Sequence, residues 1–160
     1  MNQKLHYLTQ GGIIAAIYIA LTMALAPISY GALQIRVSEA LTVLPYFTPA
    51  AIPGLFIGCM IANFNSPLGM MDVIFGSMAT LLAALLTRKI RDKRLVPLPS
   101  IIINALVIPF VLKVTLGLPY FINLLWIGLG QTLACYGLGY PLLLILLKNK
   151  FIRDRGGGQA

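Results

Sequence analysis

In 160 residues the chain carries 59% apolar side chains and only 10% charged ones, at a mean hydropathy of +0.89. Ordinary soluble domains carry about 25% charged residues, so a soluble enzyme or a disordered tail is excluded. The net charge of +8 is concentrated in the N-terminal tip, the RKIRDKR segment at 88–94 and the C-terminal tail; RKIRDKR has no aromatic or hydrogen-bonding residue interleaved, so no nucleic-acid partner is expected and the charge reads as a topology signal.

Charges are missing from residues 5–35, 40–71, 73–87, 95–112 and 114–147. A helix crossing a bilayer uses about 20 mainly apolar residues, so these stretches hold five or six spans and little else. The chain is expected to be an all-α integral membrane bundle of six transmembrane helices in one domain, residues 1–160, embedded in the lipid bilayer. The first span covers about 8–27 and ends at Pro27. Lys4, an apolar run and Ala24-Leu25-Ala26 resemble a secretory signal. Cleavage there would leave Pro27 first, and the charge-free run outlasts a signal core, so the segment reads as a retained span.

Residues 28–37 follow as a loop or interfacial stretch. The run 38–64 contains Pro45, Pro49 and Pro53, each of which removes a backbone donor and clashes with the preceding turn. Two short helices are expected, about 38–48 and 50–64, as short spans or a re-entrant hairpin. Ser66-Pro67 has the form of a helix start, Ser as cap and Pro in the first turn, giving a fourth span at 67–87 that runs into RKIRDKR. The fifth span is about 98–118, kinked near Pro109, and the sixth about 121–147, kinked near Pro141. Six spans put both termini on one side with the 88–94 loop, and its basic residues mark that side as cytoplasmic, at the cell membrane. Cys59 and Cys135 lie deep in apolar runs, so no disulfide framework is expected.

Setting the cytoplasmic charges aside leaves Arg36, Glu39, Asp72 and Lys113. All four fall near the outer ends of their helices on this topology. Ionisable groups at membrane depth are costly and usually face one another or a watery cavity, so a pocket open to the outside is expected. Other readings apply to each residue singly: Arg36 and Glu39 as a surface pair three apart, Asp72 at the positive end of its helix, Lys113 reaching out to water. Gln34, Asn63, Asn65 and Asn123 add neutral polar groups at the same depth. Carboxylates, amides and nearby ring faces together suit a flat heterocycle with several donors, such as a guanine-like edge.

Gly12, Ala16, Ala20 and Ala24, with Gly11 and Ala15 beside them, form a small-residue ladder on one face of the first span, where another backbone can approach closely. Packing within the bundle is the plainer use of such a ladder. No G-x-x-x-x-G-K-[ST] phosphate loop is present, so ATP hydrolysis by that route is not expected. The one histidine, His6, precedes the first span, so no His-carboxylate metal set arises at membrane depth. Ser38, Ser66 and Ser77 have no histidine base, although a Ser-Lys pairing stays open. No catalytic residue, metal or cofactor is assigned, and an enzyme is disfavoured.

Taken together, the six-span plan, the basic loop after the fourth span and the ladder Ala16-Ala20-Ala24 resemble an S component, the substrate-binding subunit of an energy-coupling-factor (ECF) transporter. Residues 32–77, ALQIRVSEALTVLPYFTPAAIPGLFIGCMIANFNSPLGMMDVIFGS, resemble the QueT family, most specifically in RVSEAL and NFNSPLGMMD. The likeness extends over about 5–147. It implies a queuosine precursor as substrate, such as 7-aminomethyl-7-deazaguanine, captured near the outer face. It further implies a separate transmembrane coupling subunit and two cytoplasmic ATPases as partners. Gly12, Ala16, Ala20 and Ala24 would then meet the coupling subunit, while Arg36, Glu39, Asn63, Asn65 and Asp72 would surround the ligand. In that arrangement Glu39 would accept from the guanine-like edge, Asp72 would balance the ligand's ammonium and Arg36 would orient Glu39. Lys113 fits a cationic ligand worst.

Rival readings are a stand-alone secondary carrier for a small polar heterocycle, an intramembrane enzyme using Glu39 or Asp72 as acid or base, and a purely structural membrane subunit. The carrier reading lacks an inverted repeat and a midplane acid.

Overall fold

The computed structural model describes residues 3–30 and 35–148, and every regular element among them is helical. In chain order these are α1 (Gln3–Ala24), a single turn α2 (Ala26–Ser29), a 3-10 helix (Val37–Tyr46) and α3 (Ala51–Asn63). A π-helical turn (Asp72–Gly76) leads into α4 (Ser77–Lys89), followed by α5 (Leu98–Leu116). The chain closes with α6 (Tyr120–Thr132), a second π segment (Leu133–Gly139) and α7 (Tyr140–Lys148).

Three helical runs are long and apolar enough to cross a membrane: Gln3–Ala24, Leu98–Leu116 and Tyr120–Lys148. Large apolar side chains such as Leu8, Phe121, Leu125 and Ile145 point outward from them. A soluble protein would bury such residues, whereas hydrocarbon solvates them.

The prolines shape the chain as their chemistry requires, with two departures from expectation. Pro27 does not close the first span: α1 ends at Ala24 and Pro27 sits in the first turn of α2, where its missing N–H costs nothing. Pro67 does not open the fourth. Residues 66–69 form a turn instead, with Gly69 N–H on Ser66 O at 3.1 Å and Gly69 at φ +62°. That left-handed backbone is open to glycine and breaks a right-handed helix, so helix begins only after it.

Around Pro45, Pro49 and Pro53 the chain makes two short helices, Val37–Tyr46 and Ala51–Asn63, close to those expected. At about 2.0 Å rise per residue for the 3-10 helix and 1.5 Å for α3, each is roughly 20 Å long, less than a bilayer core of about 30 Å. Pro45 falls in the last turn of the 3-10 helix. The carbonyls of Pro45 and Tyr46 accept from Arg88 Nη1 at 3.2 and 3.4 Å, which ties that end to α4. The second π segment ends just before Pro141. A widened turn there relieves the clash between the proline ring and the carbonyl one turn back.

α1 and α3 pack through glycines. A Cβ added at Gly54 would stand 2.6 Å from Gly11 O, and one at Gly58 would stand 3.0 Å from Ala15 O. Gly54 and Gly58, four apart, form a groove that receives the Gly11–Ala15 edge of α1, and the backbones meet without intervening side chains. Tyr18, Leu55, Cys59, Ala62 and Ala84 continue this core. The small residues of α1 thus divide between two faces. Ala15 is buried toward α3 and Gly11 half-buried, while Gly12, Ala16, Ala20 and Ala24 are exposed.

Elsewhere, Leu68, Ile108, Val111, Leu112 and Ile127 join α5 to α6 and the 66–69 turn. Val43, Val96 and Leu143 join the 3-10 helix to α7. A Cβ at Gly139 would stand 3.1 Å from Ala40 O, so the 3-10 helix is seated directly against the second π segment.

Candidate functional site

The N-terminal end of the 3-10 helix brings two charged residues into the interior of the bundle. Arg36 N-caps it and is 3% exposed; Glu39, in its first turn, is fully buried. Glu39 N–H donates to Arg36 O at 2.9 Å, so the two residues are neighbours along the backbone. Their side chains part.

Glu39 is held by neutral donors from two long helices. Tyr18 OH of α1 donates to Oε1 at 2.6 Å, and Ser100 Oγ of α5 donates to Oε2 at 2.7 Å. Asn104 Nδ2, one turn further along α5, reaches Oε2 at 3.4 Å and Ser100 Oγ at 3.2 Å. Distances of 2.6 and 2.7 Å are those of well-formed O–H···O hydrogen bonds. The backbone is fixed as well: Thr42 Oγ1 donates to Glu39 O at 2.6 Å, and Ser38 Oγ accepts from Thr22 Oγ1 at 2.7 Å. Cys135 Sγ lies 3.8 Å from the same Glu39 carbonyl.

Arg36 turns to Asp72. Its Nη2 donates to Oδ2 at 2.8 Å, with both side chains out of solvent. The guanidinium carbon also stands 5.4 Å from the centroid of the Tyr30 ring, and Tyr30 OH donates to Ala62 O at 2.6 Å. Asp72 opens the first π turn, and Asn63 Nδ2 donates to its carbonyl at 2.9 Å. That turn is built around glycine. A Cβ at Gly76 would stand 2.7 Å from both Asn63 Nδ2 and Asp72 Oδ1. π turns inside α-helices recur at functional sites, and this one presents an acid.

Some polar atoms here have no partner. Arg36 Nε, Asn63 Oδ1 and Asp72 Oδ1 are buried without a hydrogen bond. Buried polar groups are nearly always paired, so this core has bonding capacity that its own residues leave unused.

The residues singled out in the sequence fall into two groups. Arg36 and Asn63 are buried against Asp72, and Glu39 is buried among partners of its own. Arg36, expected to orient Glu39, pairs with Asp72 instead: it is the N-cap residue, with extended backbone, and lies outside the 3-10 turn that holds Glu39. The other three described candidates lie apart from these contacts. Asn65 is exposed and donates to Met23 Sδ at 3.2 Å. Asn123 is half-buried and donates to Pro119 O in the first turn of α6. Lys113 is exposed near the end of α5. Gln34 lies outside the described residues.

Tyr18, Ser100 and Asn104 were not anticipated at the site. A signal for two of them exists in the sequence: Ser100 and Asn104 are polar residues four apart in a charge-free apolar run, and so share one helix face. Among the described residues no three His, Cys, Asp or Glu side chains gather as a metal site. Taken as chemistry, the arrangement offers carboxylate and amide acceptors together with a paired guanidinium, all out of solvent.

The family model of the QueT transporter matches residues 8–148. A stretch of 71 residues is 48% identical to the Queuosine precursor transporter QueT of Lactococcus lactis subsp. cremoris (strain MG1363), covering 43% of this chain and 41% of that relative. The aligned stretch thus spans about two fifths of the curated relative. No solved structure matches the chain.

Proposed function

The chain belongs to the QueT transporter family, and we propose that it is the substrate-binding subunit of an ATP-driven ECF importer that captures a queuosine precursor of the deazaguanine type. Capture takes place at the outer face of the cell membrane. The chain crosses six times in this reading, with the termini and the 88–94 loop on the cytoplasmic side, where Arg88, Lys89, Arg91, Lys93 and Arg94 are in keeping with the positive-inside rule.

The observation that carries the reading is the set Arg36, Glu39, Asn63 and Asp72, buried in a chain with so few charges. Ionisable groups are expensive at membrane depth, and retaining them there is the mark of a ligand or ion site. The unfilled acceptors on Asn63 and Asp72 support the same reading, because a ligand with several N–H groups would fill them. Asn65, Asn123 and Lys113 are outlying candidates for its approach path, and Gln34 is kept as a candidate from the sequence.

The exposed face Gly12, Ala16, Ala20 and Ala24 is the proposed contact for the coupling subunit, since small residues let another helix approach closely. Two cytoplasmic ATPases then supply the energy for release inward.

Reconstituted vesicles test the division of labour. Uptake of 7-aminomethyl-7-deazaguanine is expected only when the coupling subunit, both ATPases and ATP on the cytoplasmic side accompany this chain. Uptake by the chain alone would identify a stand-alone secondary carrier and overturn the proposal.

A further inference from the structure

A loop that only sets orientation in a membrane needs positive charge and no particular geometry. The basic segment at 88–94 is pinned instead. Arg88 is spent on the chain itself, its Nη1 donating to the Pro45 and Tyr46 carbonyls. Tyr46 OH donates in turn to Arg91 O at 3.4 Å, Tyr136 OH to Arg94 O at 2.8 Å and Thr87 Oγ1 to Val96 O at 3.4 Å. The main chain between α4 and α5 is thus held from the 3-10 helix, the second π segment and α4 at once.

What this loop holds out is cationic. Lys89, Arg91, Lys93 and Arg94 are exposed, and among the described residues none of them forms an ion pair. Asp92, the acid between them, accepts from the Arg94 backbone N–H at 2.9 Å, a local bond that shapes the turn. Lys148, exposed in the last turn of α7, adds a further cation at the same end, because Leu147 and Ile90 pack on one cluster of Val43, Val96 and Leu143. Like charges repel, and a pinned loop cannot spread them apart, so the patch gains from an external anion.

The surface beside the patch indicates which anion. Leu82 and Leu86 of α4 are each about half exposed and precede Lys89 at helical spacing, so the three side chains share one face. In a bilayer those leucines meet acyl chains. A lipid lying along them brings its headgroup to Lys89 and to the guanidinium groups of Arg91 and Arg94, whose planar forks match phosphate oxygens. A soluble anion makes no use of the leucines, and a zwitterionic lipid carries its own cation beside its phosphate. Basic clusters next to a spanning helix attract anionic headgroups.

We propose that the loop between α4 and α5, with the end of α7, binds the headgroup of an anionic phospholipid whose acyl chain lies along Leu82 and Leu86. This site is separate from the buried Arg36, Glu39 and Asp72, and it does not depend on which ligand they serve.

Native mass spectrometry tests the assignment on the full chain, released from nanodiscs that hold equal amounts of phosphatidylglycerol and phosphatidylcholine with the same acyl chains. The wild-type chain is expected to retain phosphatidylglycerol in at least tenfold excess. That excess should collapse toward one in the variant combining Lys89→Gln, Arg91→Gln, Lys93→Gln and Arg94→Gln. Equal retention of the two lipids by the wild type, or an excess that persists in the folded variant, would overturn the proposal. Should the variant not fold, about 1 M salt, which screens exposed charges beyond roughly 3 Å, takes its place: a collapsed excess supports the site, and an undiminished one overturns it. A wild type without lipid preference whose variant no longer co-purifies with the ATPases would mark the patch as a protein contact and overturn the lipid assignment.

Discussion

Arg36 and Asp72 lie 36 positions apart in the chain, at the N-cap of a 3-10 helix and at the start of a π turn, and meet at 2.8 Å in the interior. Neither element is an α-helix: Arg36 has extended backbone just before the 3-10 helix, and Asp72 opens the π turn. The pair ties the N-terminal end of the 3-10 helix to the π turn that leads into α4. It thereby joins the two segments, RVSEAL and NFNSPLGMMD, in which the family likeness is most specific.

Removing one partner of this pair should be far worse than removing both. Arg36→Met leaves the Asp72 carboxylate buried and unpaired, which costs about 3–5 kcal/mol, whereas replacing both by apolar residues of similar size recovers much of that. Thermal unfolding in detergent of Arg36→Met, Asp72→Leu and the double variant checks the prediction. The double variant should unfold above either single one.

Gly76→Ala should damage the site from within. Its Cβ would fall 2.7 Å from Asn63 Nδ2 and Asp72 Oδ1, so one of those side chains must move or the π turn must open. Overpacking of this kind costs roughly 1–3 kcal/mol, and the displaced amide or acid should also weaken precursor binding. A stability measurement paired with a titration separates the two effects. An unchanged affinity would place the ligand away from the π turn.

The two faces of α1 should respond differently to bulk. Gly54→Leu and Gly58→Leu drive a side chain into the backbone at Gly11 and Ala15, so the subunit itself should lose stability or fail to fold. Ala16→Leu and Ala20→Leu add bulk to an exposed face, so the isolated subunit should unfold at its usual temperature. Co-purification with the coupling subunit should nonetheless be lost. Retained co-purification would remove this face from the proposed interface.

Tyr18→Phe and Ser100→Ala each take one donor from the Glu39 carboxylate at 2.6 and 2.7 Å. A hydrogen bond to a charged group contributes about 1.5–3 kcal/mol, so each variant should be destabilised by that order. Being on one carboxylate, the two effects should not add. A double-mutant cycle on thermal stability measures the coupling, and strict additivity would mean that the two donors act independently.

Much of the architecture was legible because composition and proline chemistry act locally. The charge-free runs located α1, α5 and the Tyr120–Lys148 run, and Pro45, Pro49 and Pro53 forced the short helices between residues 37 and 63. The misreadings arose where a neighbour decides. Ser66-Pro67 looks like a helix start, but Gly69, two residues beyond Pro67, takes a left-handed backbone and makes the segment a turn.

At the site, rarity of charge in an apolar chain was signal enough to find Arg36, Glu39 and Asp72. Their pairing was not legible, since nothing local to Arg36 points to a partner 36 residues away, and its sequence neighbour Glu39 was the obvious choice. Tyr18 was hidden for a different reason: single hydroxyls are common in membrane helices, and only the fold shows which ones converge on a carboxylate. Asn65 and Asn123 illustrate the converse, as amides that make local bonds to Met23 and Pro119.

The most direct test of the account is calorimetric titration of the purified chain with 7-aminomethyl-7-deazaguanine, in wild-type form and as Glu39→Gln. Saturable binding, weakened at least tenfold by the substitution (about 1.4 kcal/mol), is the predicted result. Absence of binding to wild-type protein that unfolds cooperatively, or equal binding by both forms, would contradict it.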